Sequence, residues 1–143
     1  MIILDTNVLS ELMRKQPSSA VVEWLDAQAA NAVFITSITL FESRYGLAVL
    51  PDGSRKSRLR QRLDSVISDD LEHRVLTFDS QAADCAAKLA AERKRLGQSV
   101  DIRDTFIAGI AIAHGAVVAT RNARHFSDLP VPVVDPWAKG LKG

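Results

Sequence analysis

Four side chains with oxygen atoms stand where a parallel sheet would bring them together. Asp5 and Asn122 follow predicted strands, whereas Glu42 lies about one turn into a predicted helix and Asp104 lies in the first turn of another. Several carboxylates do not stay ionised together in a partly dry site unless a positive charge lies among them. Mg²⁺ and Mn²⁺ prefer oxygen ligands, and such a cation lowers the pKa of water and offsets charge on an attacked phosphodiester. The pattern indicates metal-assisted phosphodiester hydrolysis, and spacing alone leaves open whether the four side chains converge.

The elements that must position these side chains begin with short apolar runs. Such runs lie at residues 2–4, 33–35, 75–76, 117–119 and 131–134, and runs of this kind are typical of strands buried on both faces. Pro132 interrupts the last run and restricts it to an edge. Asp5 ends the first predicted strand, and Asn122 lies three residues beyond the fourth. Ligands of parallel sheets bind beyond the carboxyl ends of the strands, so this edge is the expected site.

Helical patterns separate the predicted strands. We expect helices capped by Ser18 or Ser19, by Ser37, by Asp79 and by Asp101, and a further basic helix after the turn at 51–53. The helix after Asp79 should stop at Gly97, and the helix after Asp101 should stop at Gly115. Strands alternating with helices predict a three-layer α/β/α sandwich around a mostly parallel sheet of about five strands. We expect residues 1–143 to form one domain of this class.

Composition excludes several other classes of protein. The 143 residues are 47% hydrophobic and 24% charged, which is typical of a globular domain and excludes intrinsic disorder. The formal net charge of +1 indicates no global attraction to nucleic acid. The single cysteine, Cys85, excludes an internal disulfide and suits a reducing compartment. The first residues, MIILDTN, lack the basic start of a signal peptide, and the longest apolar run is too short to span a membrane. We therefore expect a soluble, cytoplasmic protein.

Four segments of the chain resemble the PIN-domain ribonucleases. These are IILDTNVLSEL at the start, SITLFESRYGLAVL around Glu42, DIRDTFIAGIAIAHGAVVATRNARHF from residue 101, and DPW at 135–137. They occur in the family's order and spacing over nearly the whole chain. The likeness is closest to the VapC toxins of type II toxin–antitoxin pairs, and within them to the FitB-like branch. It implies a PIN fold, Mg²⁺-dependent endoribonuclease activity with Mn²⁺ as a substitute, a VapB-like antitoxin, and a homodimer within a larger complex, with tRNA as the family-level substrate.

The resemblance also implies site residues. Asp5, Glu42 and Asp104 match the family's first three acidic positions, with Asp5 and Asp104 as the leading metal ligands. The fourth family position is often Asp and here is Asn122. The amide keeps a carbonyl oxygen and loses a charge, so we expect one firmly bound Mg²⁺, with any second ion arriving with the substrate. Thr6, Asn7 and Thr120 are expected to support the site through hydrogen bonds.

Several of these residues have alternative structural roles. Asp5 could serve only as the cap of a helix that begins at Asn7 or Val8, and Glu42 could be a solvated helix residue paired with Arg44 or another neighbour. Glu42 within the site could ligate the metal, bind it through a water, or orient the nucleophile. Asp101 is interpreted first as a helix cap and second as an outer ligand near Asp104. Asn122 could be a turn residue.

Local basic clusters lie in a chain that is nearly neutral overall. The run SRKSRLRQR at 54–62 carries five cations without an acid, and a second cluster comprises Lys88, Arg93, Lys94 and Arg95. Basic patches bind phosphate backbones with little sequence information, although a solvated helix face explains the first run equally well. Arg121 and Arg124 are the preferred RNA contacts because they lie beside the predicted site. His125 fits a general acid, but a solvated histidine is the favoured interpretation; Phe126 is expected to pack beneath its loop.

Two other functions compete with the nuclease. A phosphatase of the haloacid-dehalogenase type also begins with a strand ending in aspartate, but it needs a second acid where this chain has Asn7. Such an enzyme would release inorganic phosphate from small monoesters. A catalytically degenerate module that only binds RNA or antitoxin is kept open by Asn122, and metal binding that depends on Asp5 and Asp104 separates it from the nuclease.

Overall fold

A five-stranded parallel sheet forms the centre of the molecule. The computed structural model describes residues 1–138. The strands are β1 (Ile2–Leu4), β2 (Val33–Thr36), β3 (Val75–Leu76), β4 (Val117–Ala119) and β5 (Val133–Val134), in the order β3-β2-β1-β4-β5. In the central strand, Ile2 is in register with Val33 on one side and with Val117 on the other. The five predicted strands are confirmed. All of them run parallel, so their carboxyl ends lie at one edge of the sheet.

The last strand lies at the edge of the sheet, as Pro132 predicted. The carbonyl of Pro132 accepts a hydrogen bond from Val118 N at 3.0 Å, but proline has no N–H to offer a further strand. Regular pairing therefore begins only with β5, two residues after the predicted start.

Six α-helices cover the two faces of the sheet within residues 1–138. They are α1 (Thr6–Leu12), α2 (Ser19–Asp26), α3 (Ser37–Ala48), α4 (Ser54–Ser65), α5 (Ser80–Arg95) and α6 (Ile102–His114), and short 3₁₀ turns span Ala30–Ala32 and Ala123–Phe126, while a π-helical turn spans Val66–Asp70. None of these helices has the length and apolar character needed to cross a membrane.

Two separate cores show that the sheet has helices on both sides. Successive residues of a strand point to opposite faces, and β1 divides its side chains accordingly. Leu4 packs with residues from α1 to α4, including Val8 and Leu63. Ile3 packs on the other face with residues of α5 and α6, including Ile107. The three-layer α/β/α sandwich is therefore confirmed.

The ends of the helices agree with the sequence except in α3 and α1. Asp79 Oδ1 accepts from Ala82 N at 2.9 Å and caps α5, as predicted. The cap of α3 is Thr36 instead of Ser37, because β2 enters the helix without a loop and Thr36 Oγ1 accepts from Thr39 N at 3.1 Å. Helix α1 begins at Thr6, one residue earlier than Asn7, with Asp5 as its cap. The two corrections move both helix starts closer to the strand ends.

Close contact between α5 and α6 fixes the helix that carries Asp104. A Cβ atom on Gly109 would lie 2.6 Å from the carbonyl oxygen of Ala82 and 2.7 Å from the Cβ of Ala86. Only glycine permits this approach without displacing backbone. The packing holds the first turn of α6 against the carboxyl edge of the sheet.

Candidate active site

Asp5 is the buried centre of the candidate site. It follows β1 directly, is 4% exposed, and is joined to the neighbouring strand by its N–H, which donates to Ala119 O at 2.9 Å. Its Oδ1 accepts from Thr6 N at 2.8 Å, and its Oδ2 accepts from Thr120 Oγ1 at 2.8 Å and from Asn7 Nδ2 at 3.2 Å. Asp5 therefore caps α1 and is at the same time coupled electrostatically to Asp104 and Glu42. Thr6, Asn7 and Thr120 hold its carboxylate as expected.

Glu42 is joined to Asp5 through a single residue. Thr6 donates its backbone N–H to Asp5 and its hydroxyl to Glu42 Oε1 at 2.7 Å. The other oxygen, Glu42 Oε2, lies 3.3 Å from Arg103 Nη1. Arg44 forms its ion pair with Asp64 instead, at 2.8 Å. The α3 helix therefore presents Glu42 to the strand edge, and its cationic partner comes from α6.

Asp104 faces the loop that follows β4. Its Oδ2 lies 2.8 Å from Nδ1 of His125, which belongs to the 3₁₀ turn Ala123–Phe126. The imidazole is 44% exposed, as expected of a solvated histidine, and it also pairs with Asp104, a contact the sequence did not suggest. The turn folds back over the start of α6 because Phe126 is fully buried beneath it, as its sequence context predicted.

The three carboxylates influence one another electrostatically. Burial raises the pKa of Asp5 from 3.8 to about 6, hydrogen bonds from Thr120 and Thr6 oppose the rise, and the negative charges of Asp104 and Glu42 add to it. Desolvation and like charge both penalise the ionised form. The site is therefore an electronegative pocket whose ionised state a cation would stabilise.

Asp101 and Arg103 form the exposed side of this pocket. Asp101 Oδ1 accepts from Arg103 N at 2.8 Å and caps α6, which confirms the first interpretation of Asp101. The Arg103 guanidinium also binds both oxygens of Asp101 at 3.1 and 3.0 Å, and it lowers the pKa of that carboxyl. The pKa of Arg103 itself is raised by Asp101, Glu42 and Asp104. Arg103 thus links the cap to the carboxylate cluster, a role the sequence did not suggest.

Asn122 and the two neighbouring arginines lie on the outer side of the site. The backbone N–H of Asn122 donates to Thr120 Oγ1 at 3.0 Å, and its side chain is exposed. Arg121 N donates to Asn7 Oδ1 at 3.1 Å, while its guanidinium stacks 4.9 Å above the ring of Trp137. Arg124 is exposed. The fold thus brings Asn122 to the strand edge beside Thr120.

Arg93 is a functional candidate that sequence reasoning assigned wrongly. It was grouped with Lys88, Lys94 and Arg95 as a basic surface cluster, but it is 3% exposed. Its guanidinium pairs with both oxygens of Asp128 at 2.9 and 2.8 Å and lowers the pKa of that carboxyl. It also donates to Thr105 Oγ1 and to the carbonyl of His125, at 2.9 and 2.8 Å.

The position of Arg93 could have been read from the helix pattern. Ala82 and Ala86 are buried and Leu89 is half-buried on α5, and Arg93 follows at the same helical spacing. Its contacts tie the loop of His125 to the start of α6. The arginine therefore holds the two segments that present His125 and Asp104.

The donor set suits a hard divalent cation, although its side chains are engaged with one another. Asp5, Glu42 and Asp104 offer carboxylate oxygens, the ligands that Mg²⁺ and Mn²⁺ prefer. Within residues 1–138 no three acidic, histidine or cysteine side chains already have the arrangement of a metal site. Glu42 is held by Thr6 and Arg103, and Asp104 by His125. A cation would have to exchange these partners, and the residues that could hold it are the three carboxylates.

Comparison with known proteins agrees with the fold. The PIN domain family model matches residues 2–132, and the chain belongs to this family. It is 40% identical over 137 residues to the VapC ribonuclease Y4jK of Sinorhizobium fredii, covering 96% of this chain and 98% of the relative. It is 39% identical to Toxin FitB of Neisseria gonorrhoeae, covering 96% and 99%. The crystal structure of FitAcB from Neisseria gonorrhoeae superimposes with a TM-score of 0.87, at 39% identity over 96% of this chain and 99% of that chain.

Proposed function

We propose that this protein is the toxin of a toxin–antitoxin pair and a Mg²⁺-dependent endoribonuclease. The observation that carries the proposal is Asp5, a buried carboxylate whose pKa is raised by burial and by Asp104 and Glu42. A site of this kind is stabilised by a divalent cation, with Mn²⁺ as an alternative to Mg²⁺. Relatives named as a ribonuclease and as a toxin support the same conclusion.

Each residue of the site has a separate role in the proposed hydrolysis. Mg²⁺, when bound, supplies Lewis-acid activation of water and offsets the charge that develops on the phosphodiester. Asp5 and Asp104 are the principal ligands, and Glu42 completes the set directly or through a water. Thr6 keeps Asp5 and Glu42 in a fixed relation by donating to both. Thr120 orients Asp5 through its hydroxyl.

The loop after β4 is proposed to meet the substrate. Arg121 and Arg124 belong to the exposed segment that follows β4, and a guanidinium there can bind an RNA phosphate. Asn122 supplies an amide where a fourth carboxylate would favour a second cation, so we assign one tightly held Mg²⁺. The substrate is RNA, with tRNA as the expected class.

The partner is proposed to be a VapB-like antitoxin. The chain also forms a homodimer, and the dimer assembles with antitoxin into a larger complex that acts in the cytoplasm. The likeness to Toxin FitB over 96% of the chain supports this assignment. Copurification of the chain with an antitoxin encoded beside it, followed by measurement of the complex mass, tests it; a monomer with no copurifying protein would contradict it.

Cleavage of a mixed RNA pool tests the nuclease directly. The protein is stripped of antitoxin and metal, and RNA is added with Mg²⁺, with Mn²⁺ or with a chelator. We expect discrete fragments only with metal, and a loss of at least about 100-fold in Asp104→Asn, because removing a charged group that stabilises a transition state costs this much or more.

A matched variant separates the site from general charge effects. Glu92→Gln removes an exposed carboxylate that pairs with Arg95, and it should cleave as the parent does. Cleavage by Asp104→Asn at the parental rate would contradict the proposal. Folded, metal-binding protein that leaves every RNA of the pool intact would favour the binding module instead.

A further inference from the structure

An open cavity of about 700 Å³ begins at the candidate active site and runs away from it. Thr6 and Glu42 line one end. The segment after α1, the middle of α3 and the first turns of α4 form the remaining walls. The cavity therefore adjoins the site at Glu42 and Thr6 and extends away from it along α3 and α4.

The walls of this cavity are basic. Arg14 and Lys15 follow α1, and Arg55 and Arg58 come from α4, whereas Glu42 is the acidic residue among the lining side chains. Arg14 pairs with Glu11 at 3.3 Å. Within residues 1–138, Lys15, Arg55 and Arg58 have no ion-pair partner. The basic run at 54–62 thus has one side turned toward the site, which the solvated-face interpretation did not anticipate.

Two small residues of α3, Ser43 and Gly46, lie along one wall of the cavity. A Cβ on Gly46 would meet nothing within 4 Å. Glycine in the middle of a helix is unfavourable, and here it keeps the wall free of side-chain atoms.

We propose that this cavity, which we name the α1–α4 groove, binds the phosphodiester backbone of the RNA strand on one side of the bond that is cut. The inference rests on the nuclease function proposed above and adds the path of the substrate. Unpaired cations bind backbone phosphates through release of counterions. Leu47, Leu50 and Leu59 supply apolar surface for ribose and base faces.

RNA fits the groove better than an acidic protein segment does. The groove opens on Glu42 and Thr6, so a strand held at the carboxylates enters it without a break. An RNA strand carries one negative charge per nucleotide and has apolar base and ribose faces between the charges. The groove offers both cations and apolar side chains to match them.

The test compares two sides of the same helix. Arg55→Gln with Arg58→Gln removes two cations of the groove, and Arg60→Gln removes an exposed cation of α4 that lies outside it. Binding of a fluorescein-labelled, mixed-sequence single-stranded RNA is measured by anisotropy in the Asp104→Asn background over a series of salt concentrations. Cleavage is measured in the active background.

The double variant should lose RNA affinity by roughly tenfold, and its slope of log affinity against log salt should fall by about 1.4, since each lost phosphate contact removes about 0.7 on a single strand. KM should rise with kcat nearly unchanged. Arg60→Gln should change the affinity by no more than about twofold. Gly46→Glu, which has space for its Cβ, should weaken RNA binding without lowering the melting temperature.

Each other outcome has a definite meaning. If RNA affinity falls equally in the double variant and in Arg60→Gln, or falls in neither, the proposal that the groove binds RNA is wrong. The proposed Mg²⁺-dependent cleavage would not be affected by that result. Binding of a poly-glutamate peptide that depends on Arg55 and Arg58, with RNA binding unaffected, would assign the groove to an acidic protein instead. Arginine-dependent RNA binding without cleavage in any variant would retain the groove and reject the nuclease.

Discussion

The carboxylate of Asp5 should destabilise the metal-free fold, and this can be measured. Burial raises its pKa from 3.8 to about 6. Between those values the native state binds more protons than the unfolded state, so the free energy of unfolding falls as pH rises. The contribution of a protonated Asp5 is complete below pH 3.8 and is lost as pH passes about 6.

The size of the effect follows from the shift. A rise of about two pKa units corresponds to about 3 kcal/mol of destabilisation at neutral pH. Asp5→Asn removes this penalty. It also loses the two hydrogen bonds that Oδ2 accepts from Thr120 and Asn7, because an amide nitrogen cannot accept, at a cost of about 2 kcal/mol in total. We therefore expect the metal-free variant to be more stable than the parent at pH 7.5 by about 1 kcal/mol, or a few degrees in Tm.

Thermal and urea unfolding in the presence of a chelator, from pH 4.5 to pH 7.5, measure the difference. The advantage of Asp5→Asn should grow with pH and should disappear when Mn²⁺ is added, since only the parent gains a bound cation. Asp79→Asn makes the same chemical change at the exposed cap of α5 and serves as the control. An Asp5→Asn protein that is no more stable than the parent at pH 7.5, or an advantage independent of pH, would refute the reasoning.

Three further substitutions test the surroundings of the site. Asn122→Asp adds a carboxylate beside Thr120 and should raise Mn²⁺ affinity and cleavage at limiting metal; a complete loss of cleavage would show that the amide is required. Arg93→Met leaves Asp128 unpaired and should lower the free energy of unfolding in urea by about 3 kcal/mol. An unchanged urea midpoint would contradict the stabilising role of the Arg93–Asp128 pair. Gly109→Ala forces a Cβ against Ala82 O and should cost about 2 kcal/mol by the same measurement; a neutral result would contradict the close packing of α5 and α6.

Much of the fold follows from local sequence because the relevant signals are local. Short runs of β-branched residues predict buried strands, and Pro132 predicts an edge strand because it lacks an N–H. Asp79 and Asp101 predict helix starts, and both cap as expected. The predicted cap of α3 was Ser37, whereas the observed cap is Thr36. Both residue types are favoured at the N-cap of a helix. Only the direct passage of β2 into α3 decides between them.

Site residues that adjoin strand ends are the easiest to place from sequence. Asp5 and Thr120 follow neighbouring parallel strands, so their approach required no knowledge of side-chain packing. The contacts of Arg103 with Glu42 and of His125 with Asp104 join segments far apart in sequence. They depend on how α3, α6 and the last 3₁₀ turn pack, which no local pattern encodes.

Arg93 was misassigned for a different physical reason. Its neighbours Lys94 and Arg95 made the end of α5 look like a solvated basic surface, whereas helical spacing places Arg93 on the buried face. A buried arginine requires a partner, and Asp128 provides it from a loop that sequence alone could not place.

Titration with Mn²⁺ tests most directly the claim that three carboxylates form one cation site. Isothermal calorimetry on the metal-free parent should give one tight site per chain, and Asp5→Asn and Asp104→Asn should each weaken it at least about tenfold. Glu92→Gln should bind as the parent does. Absence of Mn²⁺ binding by the folded parent, or binding unchanged in both aspartate variants, would contradict the account.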